Sequence, residues 1–137
     1  MKTLVTGGAG FIGSHLVDRL LADGHQVVAV DSLVSGRRRN LARHEGDPRL
    51  VFHQADVRDG RELSKLCQGI DWVFHLAALA DIVPSIQQPE EYFTTNVDGT
   101  FRVLEAARAA GVKRFLYAAS SSCYGIPDVY PTPEEAP

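Results

Sequence analysis

Short apolar runs alternate with segments of helical periodicity along most of the chain. Five runs, rich in Val, Ile, Leu, Phe and Ala, have the length of buried strands. They lie at Lys2–Thr6, Gln26–Asp31, Leu50–Gln54, Asp71–Ala77 and Val112–Ala118. Because such continuous runs are typical of strands covered on both faces, they predict the strands of a parallel sheet.

Helical patterns fill the intervals between these strands. Apolar residues three and four positions apart from Phe11 to Leu21 predict a first helix that ends at Gly24. Asp59 to Gln68 predicts a short second helix. Pro89 opens a long helix that ends at Gly111, and a proline in the first turn with a glycine past the end is typical of helices.

Strands and helices in alternation predict an α/β fold, a doubly wound parallel sheet of the Rossmann type with strand order 3-2-1-4-5. We expect one domain over residues 1–137. Ser32 to Asp47 is polar and irregular. The last stretch, Gly125 to Pro137, has four prolines and no period, which predicts a loop. A chain that stops in a loop suggests an incomplete domain, without its sixth strand and substrate region.

A glycine-rich turn joins the first strand to the first helix, and it reads Thr-Gly-Gly-Ala-Gly-Phe-Ile-Gly. Gly7 permits the tight turn, Gly10 admits a pyrophosphate close to the backbone, and Gly13 lets helix and strand pack closely. Phe11 and Ile12 open the helix, whose first N–H groups are free to bind an anion. Its position between a strand and a helix makes this motif more specific than a bare glycine triplet.

Asp31 ends the second strand, eighteen residues after Gly13. A carboxylate there can accept hydrogen bonds from ribose hydroxyls and repels a 2′-phosphate, so we expect NAD rather than NADP. A strand-end aspartate that caps a turn is the simpler alternative. Arg37 and Arg38 are able to hold a 2′-phosphate, which leaves NADP open as a second possibility.

With these motifs the sequence resembles the extended short-chain dehydrogenase/reductase family, in particular its NAD-dependent sugar-nucleotide epimerases and dehydratases. The resemblance covers essentially all 137 residues. The glycine turn matches the family's Thr-Gly-x-x-Gly-x-x-Gly, and Asn96 begins a stretch that matches its Asn-Val-x-Gly-Thr. By the same resemblance, the further cofactor-binding positions are Ser32, Ser35 and Gly36 around the ribose, Asp56 and Val57 at the adenine, and Leu76, Ala77 and Ala78 beneath the cofactor.

The resemblance also implies a reaction, epimerisation of a UDP-sugar at C4 through a 4-keto intermediate in a homodimeric parent enzyme. Ser120 matches the family's catalytic serine or threonine. The catalytic base would be the tyrosine of a Tyr-x-x-x-Lys motif, which does not occur in the sequence, so we expect the 137 residues alone to be inactive. Ser122 stands where the dehydratases carry a glutamate, which favours an epimerase. A related dehydratase or reductase, or a non-catalytic NAD-binding sensor, remains an alternative.

Charge and composition exclude several classes of partner and site. The net charge of −3 argues against nucleic acid as a partner, and no apolar stretch is long enough to span a membrane. Two cysteines and five histidines without metal-ligand spacing indicate no metal and a reducing cytoplasm. His75 is expected to be a packing residue at a strand end rather than a base, and Tyr124 is not the family's catalytic tyrosine.

Overall fold

Five parallel strands form one sheet in the computed structural model, which describes residues 1–126 and 128–134. The order is β3-β2-β1-β4-β5, so the predicted Rossmann-type topology is confirmed. The strands are β1 Lys2–Thr6, β2 Gln26–Asp31, β3 Leu50–Gln54, β4 Trp72–His75 and β5 Arg114–Tyr117. The first three have the bounds predicted from the apolar runs, and β4 and β5 are shorter at both ends.

Helices connect the strands and lie on both faces of the sheet. The α-helices are α1 Phe11–Ala22, α2 Gly60–Leu66, α3 Ile82–Gln87, α4 Pro89–Phe93 and α5 Thr100–Ala109. Two 3₁₀ helices occupy Arg38–His44 and Ser121–Tyr124, and a π-helical turn occupies Thr94–Gly99. Where Asp59 precedes α2, its side chain accepts hydrogen bonds from two backbone N–H groups of the first turn, which fixes the start of that helix.

Three segments differ from the sequence-based expectation. The long helix predicted from Pro89 is interrupted by the π-helical turn between α4 and α5. The polar segment Ser32 to Asp47 contains a 3₁₀ helix because Leu41 turns into the core there. Helix α3 was not predicted from the sequence, because it has six residues, none of them buried, and its apolar residues Ile82, Val83 and Ile86 are too few to establish a period.

The core consists of two layers, one on each face of the central strands. Leu4, Val28 and Val73 face one layer with α2 and α5, whereas Val5 and Val27 face the other with α1. Successive side chains of a strand point to opposite faces, so continuous apolar runs supply both layers. The prediction that all strands are covered on both faces is wrong for the edge strands. Val51 of β3 is 48% exposed, and Leu116 and Tyr117 of β5 are 42% and 57% exposed.

The strand ends lie level across the sheet. Thr6 is opposite Val30 in β2 and opposite His75 in β4, and His75 is opposite Tyr117 in β5. The loops that follow four neighbouring strands therefore leave the sheet at one edge. In open α/β sheets, ligands bind at this carboxyl edge.

Candidate functional site

A cleft of about 470 Å³ opens at the carboxyl edge of the sheet. The loops that follow all five strands line this cleft, and the loop after β3 contributes Asp56 and Val57. Among the predicted cofactor-binding residues, those that line it are Gly7, Gly10, Phe11, Ile12, Gly13, Asp31, Ser32, Ser35, Asp56, Val57, Leu76, Ala77 and Ala78.

The glycine turn is shaped by close contacts that exclude a side chain. Gly7 has a φ of +69°, and a Cβ there would lie 2.9 Å from the backbone nitrogen of Ala77. A Cβ on Gly13 would lie 2.0 Å from the carbonyl oxygen of Gly7. Glycine at these two positions therefore allows the turn to pack against both the end of β4 and the start of α1.

The N–H groups of the turn itself are already used inside the protein. Gly8 donates to the carbonyl of Val30, and Gly10 donates to the carbonyl of Gly7. No side chain caps the N-terminus of α1. Because an α-helix leaves its first N–H groups without intrahelical partners, the backbone from Phe11 to Gly13 offers the donors for an anion in the cleft.

Asp31 is buried, with 7% of its surface exposed, and its carboxylate is bonded to the backbone. Oδ2 accepts from the N–H of Ala9 at 3.0 Å, and Oδ1 accepts from the N–H of Leu33 at 2.8 Å. A Cβ on Gly36 would lie 2.5 Å from Oδ1, so glycine is needed where the loop folds over the carboxylate. Asp31 thus caps the loop after β2, which is the simpler of the two roles considered for it, and it also lines the cleft; its contact with a ribose stays a prediction.

Asp56 and Arg58 form an ion pair on the cleft wall. Arg58 Nη2 lies 2.6 Å from Asp56 Oδ2, and Arg58 Nε lies 3.0 Å from Oδ1. The hydrogen bonds from the Arg58 side chain lower the pKa of the Asp56 carboxyl group, although partial burial opposes this shift. The fork geometry fixes the plane of the carboxylate.

His75 is buried at the end of β4, as expected for a packing residue, with 1% of its surface exposed. Its Nδ1 lies 2.6 Å from Thr6 Oγ1, and its Nε2 lies 2.9 Å from Thr100 Oγ1. Burial lowers the pKa of the imidazole to about 4. The aromatic rings of Phe115 and Tyr117 lie beside it. His75 therefore joins β1, β4 and α5 beneath the cleft.

Asn96 lies in the π-helical turn, and its side chain bonds the loop after β4. Its Oδ1 accepts from the N–H of Leu79, and its Nδ2 donates to the carbonyl of Leu79, both at 2.9 Å. This pair of bonds braces Leu79, which lines the cleft. Asn96 does not appear in the cleft lining itself, and its contact with a cofactor stays a prediction.

Ser120 follows Ala118 and Ala119, two residues of the cleft lining just past β5. Its carbonyl accepts from the N–H of Cys123, which begins the 3₁₀ helix there. Ser120 is exposed at the end of the cleft away from the loop after β2. The structure therefore brings it near the site, while its catalytic role stays a prediction.

Several residues of the cleft were not singled out in the sequence. Arg58 could have been found from its spacing, because an arginine two residues after Asp56 is close enough to bond that carboxylate with its side chain. The backbone N–H of Arg58 also donates to Asp56 Oδ1. The others come together only in the folded chain; they are Val30, Val34, Ala55, Leu79, Ala80, Glu91, Thr95, Ala118 and Ala119.

Within residues 1–126 and 128–134, no group of three or more His, Cys, Asp or Glu side chains is arranged to hold a metal ion. In the same part of the chain, no helix has the length and apolar character needed to cross a membrane. Cys67 is buried and Cys123 is exposed, and neither is in a disulfide.

Comparison with known proteins identifies a family. The model of the NAD dependent epimerase/dehydratase family matches residues 3–137. The chain is 48% identical to a UDP-glucose 4-epimerase of Mycolicibacterium smegmatis, over all of this chain and 44% of that protein. It is 40% identical to a UDP-glucose 4-epimerase of Klebsiella pneumoniae, over 91% of this chain and 93% of that protein. The chain therefore spans less than half of the first relative's length.

Solved structures share this architecture at comparable identity. A UDP-glucose-4-epimerase from Stenotrophomonas maltophila with bound NAD and formylated UDP-arabinopyranose has a TM-score of 0.91 and 40% identity, over 99% of this chain and 42% of that one. A dTDP-glucose 4,6-dehydratase from Streptomyces venezuelae, also with NAD bound, has the same TM-score and identity, over 100% of this chain and 45% of that one. Overall similarity therefore does not separate the two activities.

Proposed function

The chain belongs to the NAD-dependent epimerase/dehydratase family, and from this premise we propose that its cleft binds NAD and that the whole protein epimerises a UDP-sugar at C4. One observation carries the cofactor part of the proposal: an uncapped helix N-terminus, Asp31 and Asp56 all border a single cleft. The activity is proposed for these residues together with the portion that the longer relatives carry and this chain does not cover.

The residues of the cleft fit the chemistry of a dinucleotide. The backbone from Phe11 to Gly13 supplies N–H donors and a positive partial charge for the pyrophosphate. Asp31 supplies carboxylate oxygens for ribose hydroxyls, because each oxygen keeps a lone pair beyond its single backbone bond. Asp56 and Val57 border the part of the cleft proposed for the adenine.

The opposite part of the cleft has an apolar floor. Leu76, Ala77 and Ala78 follow β4 directly and line the cleft, and Leu79 is braced by Asn96. Small apolar residues allow a flat ring to lie close to the backbone, which suits the nicotinamide ring. When bound, NAD supplies reversible hydride transfer at the sugar carbon that carries the reacting hydroxyl group.

Ser120 is proposed as the catalytic residue within these 137 residues. Its hydroxyl would hydrogen-bond the oxygen at C4 and hold it in line for proton transfer. Loss of the hydroxyl proton to a base and of the hydrogen on C4 as hydride to the oxidised cofactor would leave a 4-keto group. Return of the hydride to the opposite face of C4 would give the epimer. The four tyrosines are not followed by lysine at the fourth position. We therefore propose that the base comes from outside these residues and that they are inactive alone.

A sugar-nucleotide dehydratase or reductase is the second candidate, because a dehydratase structure is as similar in fold as an epimerase structure. The residue two positions after Ser120 favours the epimerase. It is Ser122, whereas the resemblance implies a glutamate there in dehydratases, and a hydroxyl group cannot replace a carboxylate base at neutral pH. A non-catalytic NAD-binding sensor is the third candidate.

A homodimeric parent enzyme in the cytoplasm completes the proposal. The helical run from α4 to α5 presents an apolar stripe of exposed side chains, which are Phe93, Val97, Phe101 and Leu104. Exposed apolar stripes of this kind mark protein contacts. The unpaired Cys67 and Cys123 agree with a reducing compartment.

A chimera tests the activity directly. Residues 1–137 replace the corresponding part of the Mycolicibacterium smegmatis epimerase, and conversion of UDP-glucose to UDP-galactose is followed by chromatography. Turnover by the chimera, with none by residues 1–137 alone, is the expected result. A dehydrated product would favour the second candidate. A chimera that binds NAD and converts no sugar nucleotide would favour the sensor.

A further inference from the structure

Ala9 lies in the middle of the glycine turn and is held on both sides by hydrogen bonds. Its N–H donates to Asp31 Oδ2 at 3.0 Å. Its carbonyl oxygen accepts from the backbone N–H of Arg37 at 2.9 Å and from Asn40 Nδ2 at 2.8 Å. The Asn40 bond is a side-chain contact across 31 residues of sequence, from a residue outside the cleft lining.

Asn40 is held in place by the short helix that carries it. It lies in the 3₁₀ helix Arg38–His44, and its neighbour Leu41 packs in the same core layer as Ala9. The far end of this helix is tied to α1, because Asp18 binds both Arg43 at 2.9 Å and His44 at 2.7 Å. The Asn40 side chain therefore reaches the turn from a helix that is anchored both in the core and on α1.

The bond acts on the peptide unit that precedes the anion-binding helix. The carbonyl of Ala9 and the N–H of Gly10 belong to one peptide plane, and Gly10 donates to the carbonyl of Gly7 at 3.0 Å. This plane is therefore fixed at both ends. A rotation of the plane would move Gly10, which is the N-cap of α1, and would turn a carbonyl oxygen toward the site of the phosphates.

We propose that Asn40 is a positioning residue that holds the glycine turn ready for a pyrophosphate, acting through the carbonyl of Ala9. The inference rests on the proposed binding of NAD in the cleft. Asn40 makes no contact with the cofactor in this role. Its contribution is to keep the N-terminus of α1 in its binding geometry before the ligand arrives.

Nucleotide fragments separate this role from a general effect on folding. NAD and ADP contain the pyrophosphate, whereas adenosine contains only the part bordered by Asp31 and Asp56. Asn40→Ala should weaken binding of NAD and ADP by about 3- to 10-fold, as expected for one hydrogen bond, and leave adenosine within about twofold. The Arg37 N–H keeps the loop attached to Ala9 in this variant, so the adenosine part stays in place.

The experiment is calorimetric titration of the chimera, in which residues 1–137 replace the corresponding part of the Mycolicibacterium smegmatis epimerase, with NAD, ADP and adenosine. Amide hydrogen exchange is measured in the absence of nucleotide. Exchange at Ala9 and Gly10 should quicken in Asn40→Ala. Asn40→Asp keeps the side-chain size but loses the donor and sets a negative charge against a carbonyl, so it should weaken NAD and ADP binding further. Gln68→Ala is the matched control, since Gln68 also donates an exposed side-chain amide to a backbone carbonyl.

The outcomes are distinguishable. NAD binding by the chimera with unchanged NAD affinity in its Asn40→Ala variant would overturn the role of Asn40 and leave the proposed cofactor site intact. Equal weakening of adenosine and ADP would also overturn it, because the effect would then not lie at the pyrophosphate. Failure of the chimera without the Asn40 substitution to bind NAD would refute the proposed cofactor site, and the positioning role would fall with it.

Discussion

Thr6 Oγ1 and His75 Nδ1 lie 2.6 Å apart, between the last residues of two neighbouring strands. The direction of this hydrogen bond follows from the hydrogen bond that His75 Nε2 makes on the other side of the ring. Thr100 donates its hydroxyl hydrogen to the carbonyl of Asn96, so its oxygen accepts from His75 Nε2–H. Nδ1 must then accept from Thr6, and the imidazole is neutral with its hydrogen on Nε2.

This arrangement predicts a loss of stability in mild acid. Burial lowers the pKa of His75 to about 4 in the folded chain, against about 6.5 in an unfolded one. The unfolded chain therefore binds more protons between these values. We expect the free energy of unfolding to be highest above about pH 6.5 and to fall by up to about 3 kcal/mol as the pH drops toward 4. Urea denaturation at a series of pH values measures it.

Two variants identify the histidine responsible. A folded His75→Gln variant should show a flatter pH dependence of the free energy of unfolding between pH 4 and 6.5. His15→Gln, which changes an exposed histidine, should leave that dependence unchanged. In the wild type, the NMR signals of the His75 ring should stay those of a neutral imidazole down to about pH 5. A ring that titrates near pH 6.5 would contradict the assignment.

Asp31→Ala should lower the affinity for NAD and narrow the preference for NAD over NADP. The substitution removes the negative charge that opposes a 2′-phosphate and also two acceptors for backbone N–H groups. Asp31→Asn keeps one acceptor oxygen, so it should narrow the preference with a smaller loss of stability. Calorimetric titrations with both cofactors measure the ratio of affinities. Tighter binding of NADP than of NAD by the wild type would refute the proposal.

Ser120→Ala in the chimera should lower kcat and leave the affinity for NAD nearly unchanged. The hydroxyl is proposed to act on the substrate oxygen during proton transfer, and such a role contributes typically about 10²–10⁴-fold. Steady-state kinetics and an NAD titration measure the two quantities separately. Cys123→Ser, which alters an exposed side chain three residues away, is the control. An unchanged kcat in Ser120→Ala would show that Ser120 belongs to a turn and has no role in catalysis.

The 137 residues alone should self-associate or be partly unfolded. The apolar stripe on α4 to α5 is exposed, with Phe101 at 63%, and β5 adds Leu116 and Tyr117 at the sheet edge. Size-exclusion chromatography with light scattering measures the oligomeric state. Phe101→Glu should shift the chain toward the monomer, whereas Ile126→Glu, in an exposed loop, should not. A clean wild-type monomer at micromolar concentration would contradict the expectation.

The sequence determined the sheet and the glycine turn. Strands β1, β2 and β3 have their predicted bounds, because a largely apolar run of five or six residues between turns is typical of a buried strand. The glycine turn could be predicted because its backbone conformation requires glycine at particular positions, and that spacing is local in the sequence. Once the strand order was known, Asp31 and Asp56 had to lie at one edge, since parallel strands end together.

The tertiary structure decided the contacts that support these motifs. No local pattern links Asn40 to Ala9, His75 to Thr6 and Thr100, or Asn96 to Leu79, because each pair is distant in sequence and meets only when the sheet and helices pack. The π-helical turn between α4 and α5 was likewise not encoded in apolar spacing. Periodicity specifies which face of an element is buried, whereas a polar side chain's partner depends on the distances that packing sets.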